Sequence, residues 1–259
     1  TMTANTQPAL MAFSMAVVRV LEKDFGIKLK DKAAFVAGHS LGEYSAACSA
    51  GVFSLSDTAK LLRIRGNAMQ NAVPFGVGGM AAVLGLSYKD VGALVEACLN
   101  GKDICVAAND NSDGQVVLSG AMSAIDRAVE IASEFGARKC VKLAVSAPFH
   151  SPFMQPAAEA MARAFMNVEA NNAEIPLIAN VLAAPITNHK EIIKHLIEQV
   201  TGTVRWRETM AYLQEQGVTD FVELGAGKVL SGIAKRSHKE MNAFSVGSVE
   251  DIEELAKNL

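Results

Sequence analysis

The stretch 33–50 constrains the fold of this chain more than any other. A short apolar run, 33–37, contains Phe35 and Val36 and stops at Gly38. His39, Ser40, Leu41 and Gly42 follow, and 41–50 is rich in small residues that suit a helix, with Gly51 placed as its stop. A buried strand must therefore turn sharply through a glycine, a serine and a second glycine into a helix, which implies strands alternating with helices. In such a turn the serine projects at the carboxyl end of the strand, beside the N-terminus of the helix. The Leu41 N–H is then available to a developing oxyanion, and the helix dipole favours negative charge there. Ser40 is the candidate nucleophile and Leu41 the candidate oxyanion donor.

The surrounding pattern supports a core of this kind with one interruption. A helix is predicted over 56–73, capped by Ser54 or Ser56 and closed before Pro74. The segment 76–79 reads as a hinge. Beyond it, strands at 80–86, 104–108, 115–119 and 139–146 alternate with helices at 89–99 and 123–135, with a polar turn over 109–114. The order β-α-β-β-α-β is that of a ferredoxin-like unit. After Pro152 the α/β rhythm returns, with helices at 156–165, 191–199, 205–216 and 229–237 and strands at 176–182, 221–224 and 243–246. The expected fold is an α/β core with a mostly parallel sheet, made from 1–76 and 149–259 and interrupted by a ferredoxin-like subdomain over 77–148.

Composition excludes several classes of function. Half of the 259 residues are hydrophobic, 20% are charged and the net charge is -3, so a folded globular chain is expected and nucleic acid is not an expected partner. Cys48, Cys98, Cys105 and Cys140 form no C-x-x-C pair and lie among small or apolar neighbours, which suits free thiols in a reducing cytoplasm and no metal site. The apolar run 10–21 is too short for a bilayer and reads as a buried helix with Pro8 at its first position, not as a membrane span or a secretory leader. Gly225-Ala226-Gly227-Lys228 lacks phosphate-loop spacing and reads as a tight strand-to-helix turn.

A serine nucleophile needs a base. Of the five histidines, His39 belongs to the turn itself and takes a packing or pocket-lining role. His189, His195 and His238 stand in polar helical contexts and read as solvated. His150, in Ala147-Pro148-Phe149-His150-Ser151-Pro152, occupies a stiff turn where the chain re-enters the main domain, and is the candidate base. Arg65 shares a helix face with Leu62 and Met69, while Arg63 faces away. An inward guanidinium requires an anion, either an internal Asp or Glu or a substrate carboxylate gripped by a bidentate fork.

Together these residues resemble the malonyl-CoA:acyl carrier protein transacylases and the related acyltransferase domains of fatty acid and polyketide synthases. The resemblance runs along nearly the whole chain: Thr6-Gln7-Pro8-Ala9-Leu10, Gly38 to Tyr44, Arg65-Gly66 with Met69-Gln70, Gly114 to Val117, Ala147 to Pro152, Val204-Arg205-Trp206, and Glu223-Leu224-Gly225 with Gly227 to Leu230. It implies an α/β-hydrolase-like core and a ping-pong transfer in fatty acid biosynthesis. Malonyl-CoA would acylate Ser40 and acyl carrier protein would accept the group, with no cofactor. It further implies His150 as base, oriented by the main-chain carbonyl of Gln199, and Arg65 on the malonyl carboxylate. His39, Met69 and Phe149 would line the substrate site, with Phe149 disfavouring α-branched acyl groups. The family also has an N-terminal strand and a Gly-Gln-Gly turn whose glutamine N–H is a second oxyanion donor; the sequence here begins after that segment, and loss of such a donor costs ~10²–10³ in rate. Two other readings stay open: a serine esterase or thioesterase of the α/β-hydrolase type that passes the acyl group to water, and a shortened, non-catalytic subunit that holds acyl carrier protein or coenzyme A. Arg205, Arg207, Lys228, Lys235 and Arg236 are candidates for steering an acidic carrier.

Overall fold

The computed structural model describes residues 3–259. Helix α1 (Thr3–Phe25) buries Met11, Met15, Val17 and Leu21 and packs against the helices that follow. Pro8 lies inside α1 and not at its start, so the expected helix begins earlier; the helix forgoes the bond that an N–H at Pro8 would make to Ala4. A short helix α2 (Leu29–Lys32) leads to β1 (Val36–Ala37), α3 (Gly42–Ser49) and α4 (Leu55–Gln70). Strand β1 is half-buried and not fully buried. Ser54 caps α4 by accepting the Asp57 N–H at 3.0 Å.

The middle of the chain runs β2 (Gly78–Leu84), α5 (Tyr88–Cys98), β3 (Cys105–Ser112), β4 (Gln115–Ala121), α6 (Met122–Ile131) and β5 (Lys139–Lys142). Its four strands form one sheet in the order β3-β4-β2-β5, antiparallel at every pairing. Val83, Val91, Leu94, Leu118 and Ile125 belong to a hydrophobic cluster drawn only from this part of the chain. Two expectations fail here. Gly78 and Gly79 are strand residues and not a hinge: a Cβ on Gly78 would lie 2.5 Å from Pro148 Cγ, so glycine lets the His150 turn pack onto β2. The polar stretch 109–112 is strand and not turn, broken by irregularities after Ala107 and Asp110. Those irregularities re-aim polar side chains whose partners lie elsewhere, and tertiary pairing overrides turn propensity. Strand β3 also ties into the rest of the molecule, since Val204 N–H donates to Ala108 and Asp110 N–H to Val204, both at 2.9 Å.

The chain then continues through α7 (Gln155–Phe165), β6 (Leu177–Ala179), β7 (Ala184–Ile186), α8 (His189–Glu198), α9 (Trp206–Glu215), β8 (Asp220–Leu224), α10 (Val229–Ser237), β9 (Asn242–Val246) and α11 (Val249–Asn258). Strand β1 pairs in parallel with β6, β6 pairs antiparallel with β7, and β8 and β9 form a separate parallel pair. The fold is mixed α/β, and its largest sheet is the antiparallel one. The main core gathers α1, α3, α4, α7 and α8 around Tyr44, Leu61, Leu62, Met154, Met161 and Leu196. This packing brings the carboxyl ends of β1 and β6 together beneath the turn that carries His150. No helix among the described residues is long and apolar enough to cross a membrane, and no cluster of metal-binding side chains occurs among them.

Candidate active site

The turn after β1 depends on Gly38. A Cβ there would lie 2.0 Å from the carbonyl carbon and oxygen of Gly42, so only hydrogen fits. Ser40 takes φ 53°, a left-handed conformation that costs a non-glycine residue about 1–2 kcal/mol. Asn180, just past β6, holds it there from both ends: its Oδ1 accepts the Ser40 N–H at 2.8 Å and its Nδ2 donates to the Gly38 carbonyl at 2.8 Å. The Ser40 carbonyl accepts from Glu43 N–H at 3.1 Å and from Gln199 Nε2 at 2.9 Å. The Leu41 N–H makes no hydrogen bond to the described residues, which leaves it free for an oxyanion.

His150, itself at φ 55° and 3% exposed, places Nε2 at 2.7 Å from Ser40 Oγ and Nδ1 at 2.8 Å from the Gln199 carbonyl. A carbonyl only accepts, so Nδ1 carries the proton, and the lone pair on Nε2 faces the serine hydroxyl. Burial, then the nearby Arg65 charge, push the imidazole down to about 3, against the opposing pull of the Gln199 carbonyl. The ring is neutral at physiological pH and can take the Ser40 proton. Ser151 Oγ donates to the Pro148 carbonyl at 2.6 Å and stiffens the turn that presents it.

Arg65 lies on the buried face of α4 and is 1% exposed. Nη1 donates to Gln7 Oε1 at 2.7 Å; Nη2 donates to Gln199 Oε1 at 2.7 Å and to Ser40 Oγ at 3.2 Å; the guanidinium carbon sits 5.5 Å from the Tyr44 ring centre. Its Nε has no partner among the described residues, and none of their carboxylates comes within ion-pairing distance of the guanidinium. The internal ion pair allowed by the sequence is thus not formed. The guanidinium is held in place by neutral oxygens, with Nη2 beside Ser40 Oγ and Nε left unpartnered among the described residues.

The other expected residues divide. His39 is partly buried: its Nε2 lies 2.8 Å from Asn111 Oδ1 and its ring 5.6 Å from that of Trp206, so it bridges the turn to β3 and does not touch Ser40 Oγ. Met69 is buried one turn beyond Arg65 and its sulfur takes a Gln7 Nε2 contact at 3.8 Å, which places it behind Gln7. Phe149 is partly buried and packs with Met80, Ala108 and Val117 as well as with the main core. His195, expected to be solvated, is buried, with Nδ1 2.7 Å from Glu198 Oε2. Two steering candidates are already paired, Arg205 with Glu208 and Arg207 with the buried Asp110, whereas Lys228, Lys235 and Arg236 are exposed. Sequence reasoning gave no role to Asn180 or Glu43. The one signal for Asn180 was an amide at the carboxyl end of an apolar strand.

A serine hydroxyl hydrogen-bonded to a buried histidine, an unengaged N–H after the serine and a cation beside it are an arrangement suited to an acyl-transfer enzyme of mixed α/β fold. The comparisons agree: the model of the acyl transferase domain family matches residues 1–256, and the chain belongs to that family. A malonyl CoA-acyl carrier protein transacylase of Haemophilus influenzae is 42% identical over 249 residues, covering 95% of this chain and 78% of the relative. The crystal structure of an acyl-carrier-protein-S-malonyltransferase from Bartonella henselae superposes with a TM-score of 0.96 at 52% identity, covering 99% of this chain and 81% of that one. A type II PKS acyl-carrier protein in complex with its malonyl-transacylase gives a TM-score of 0.95 at 35% identity, covering 100% of this chain and 82% of that one.

Proposed function

We propose that this chain transfers the malonyl group of malonyl-CoA to the phosphopantetheine thiol of acyl carrier protein, in fatty acid biosynthesis, through a malonyl ester on Ser40. His150 takes the Ser40 proton as Oγ attacks the thioester carbon, and the Leu41 N–H stabilises the oxyanion. The tetrahedral adduct collapses, His150 returns the proton to the departing sulfur, and coenzyme A leaves. The carrier thiol then attacks the acyl-serine, with His150 again accepting and returning one proton. The Gln199 carbonyl keeps the imidazole in the reactive tautomer. Arg65 takes the free carboxylate of the malonyl group, and His39, Met69 and Phe149 shape the walls of the site. The reaction needs no cofactor and suits the cytoplasm.

The observation that carries this reading is the buried guanidinium of Arg65, 3.2 Å from Ser40 Oγ and without a carboxylate among the described residues. A neutral acyl group would leave that charge unanswered; a malonyl group answers it. Relatives named for the same transfer support the acyl donor and the carrier. The parallel pairings β1–β6 and β8–β9 support an α/β-hydrolase-like core over 1–76 and 149–259. The separate cluster around Leu94 and Ile125 supports a ferredoxin-like subdomain over 77–148.

Intact mass after mixing with malonyl-CoA tests the proposal. One malonyl group should appear on the parent and none on Ser40→Ala, and added acyl carrier protein should remove it as malonyl-carrier. Arg65→Ala should favour acetyl over malonyl thioesters. Release as free malonate at the same rate with or without carrier would point to a thioesterase, and no adduct on the parent would point to a binding subunit.

A further inference from the structure

Glu43 is fully buried one turn after Ser40, and the acyl-transfer steps do not use it. Its Oε2 accepts from Gln199 Nε2 at 2.7 Å and from the main-chain N–H of Asn180 at 3.2 Å. The second contact matters for the first. A main-chain N–H only donates, so Oε2 acts as an acceptor and the Gln199 atom facing it is the amide nitrogen. The opposite end of that amide is fixed independently, since Arg65 only donates and Gln199 Oε1 receives its Nη2 at 2.7 Å. A flip of the amide would press NH2 against the guanidinium and an oxygen against Glu43. Gln199 is therefore locked at both ends, and its main-chain carbonyl is the acceptor for His150 Nδ1 at 2.8 Å. The same Nε2 also reaches the Ser40 carbonyl at 2.9 Å. One residue thus sets the base, the cation and the backbone of the nucleophile, and Glu43 anchors that residue.

We propose that Glu43 is a positioning residue, acting through Gln199 to align His150 with Ser40 and Arg65 with the acyl group. What this requires is an oxygen acceptor at Oε2, not a carboxylate charge. The proposal rests on the acyl-serine reading, and deepens it by naming the group that holds base and cation in register. It applies to the Ser40–His150 pair whatever the acyl donor proves to be.

The test uses Glu43→Leu, Glu43→Gln, Gln199→Met and the double variant Glu43→Leu with Gln199→Met. Gln199→Met keeps the main-chain carbonyl and removes the side-chain amide. Glu43→Leu should lower kcat for malonyl transfer about tenfold to a hundredfold, more than it alters KM, and reduce the preference for malonyl over acetyl thioesters. Glu43→Gln, which keeps an acceptor oxygen, should recover most of that loss, to within about threefold of the parent. In the Gln199→Met background Glu43→Leu should add little, because both act through one amide. Losses that simply multiply would overturn the proposal, as would a Glu43→Leu variant as fast and as selective as the parent. If Glu43→Leu does not fold, Glu43→Gln decides: a folded Glu43→Gln as slow as Gln199→Met makes the charge essential and sinks the proposal. The rate of Ser40 phosphonylation by a serine-directed fluorophosphonate, which needs no acyl donor, is measured in the same variants. A parent that never takes a malonyl group refutes the acyl-donor reading alone, while the phosphonylation rates still decide the part played by Glu43.

Discussion

The two glycines that flank Ser40 should behave very differently when each is replaced by alanine. At Gly38 the new Cβ would sit 2.0 Å from Gly42 C and O and 2.6 Å from Glu43 N, all backbone atoms of the first turn of α3. Ordinary contact begins at 3.4 Å, so that turn would have to retreat by about 1.4 Å. The retreat strains the Glu43-to-Ser40 and Asn180-to-Gly38 hydrogen bonds. Overpacking costs about 1–3 kcal/mol where side chains can yield, and each weakened hydrogen bond adds about 1 kcal/mol. A loss of about 3–5 kcal/mol follows, a large part of the 5–15 kcal/mol typical of a folded chain. At Gly42 a Cβ meets nothing within 4 Å, and φ lies outside the left-handed region. Helical propensity favours alanine there by up to ~1 kcal/mol, so Gly42→Ala should match or slightly exceed the parent. Urea unfolding of the three proteins measures the difference directly. Equal midpoints for the two variants, or a Gly38→Ala variant within about 1 kcal/mol of the parent, would show that the steric argument is wrong.

The remaining predictions concern the polar groups around the serine. Folded His150 stays neutral down to about 3, whereas the unfolded side chain protonates below 6.5, so its contribution to stability is complete above pH 6.5 and is lost as pH falls towards 3. Glu43 has the opposite sign: burial pushes it up to about 8 from 4.5, so its contribution is complete below pH 4.5 and is lost as pH rises through 8. Each proton contributes a slope of about 1.4 kcal/mol per pH unit, so Glu43→Gln should gain on the parent between pH 6.5 and 8 in urea titrations; a gain equal at every pH would contradict the linkage. Asn180→Leu strips partners from the Ser40 N–H and the Gly38 carbonyl and should cost about 2–4 kcal/mol, with slower phosphonylation of Ser40; a stability change below about 0.5 kcal/mol would mean the turn holds itself.

What could be read from the sequence depended on whether a signal was local. The turn at Ser40 was legible because strand, glycines and small-residue helix are contiguous. Arg65 was legible because helical spacing put it with Leu62 and Met69, and His150 because Pro148 and Pro152 stiffen its turn. Gln199 carries no such mark, since it serves His150 through a main-chain carbonyl that every residue possesses; only resemblance to the transacylases pointed there. The stretch 109–112 misled because its polar side chains resemble a turn when their partners are unseen, yet Asn111 meets His39 and Asp110 meets Arg207. The helix α11 and strand β7 were not anticipated, although Ser248 and Asp251 form a capping box that marks the start of α11.

The site holds several buried polar groups, and among the described residues none of them forms an ion pair with Arg65. Glu43 and Arg65 are both buried and make no direct ion pair; the Gln199 amide stands between them, with Glu43 Oε2 at one end and Arg65 Nη2 at the other. Each keeps one polar atom unpartnered among the described residues, Glu43 Oε1 and Arg65 Nε. A direct pair would satisfy the guanidinium and leave nothing for a substrate carboxylate. Placing an amide between them keeps the cation rigid while its charge stays unanswered, which is costly in the free protein. A carboxylate-bearing acyl group entering beside Ser40 would remove that cost, and an acetyl group would not. Selectivity on this view comes from the separation of Glu43 from Arg65 as much as from Arg65 itself. A variant that let the two meet would be more stable and less selective.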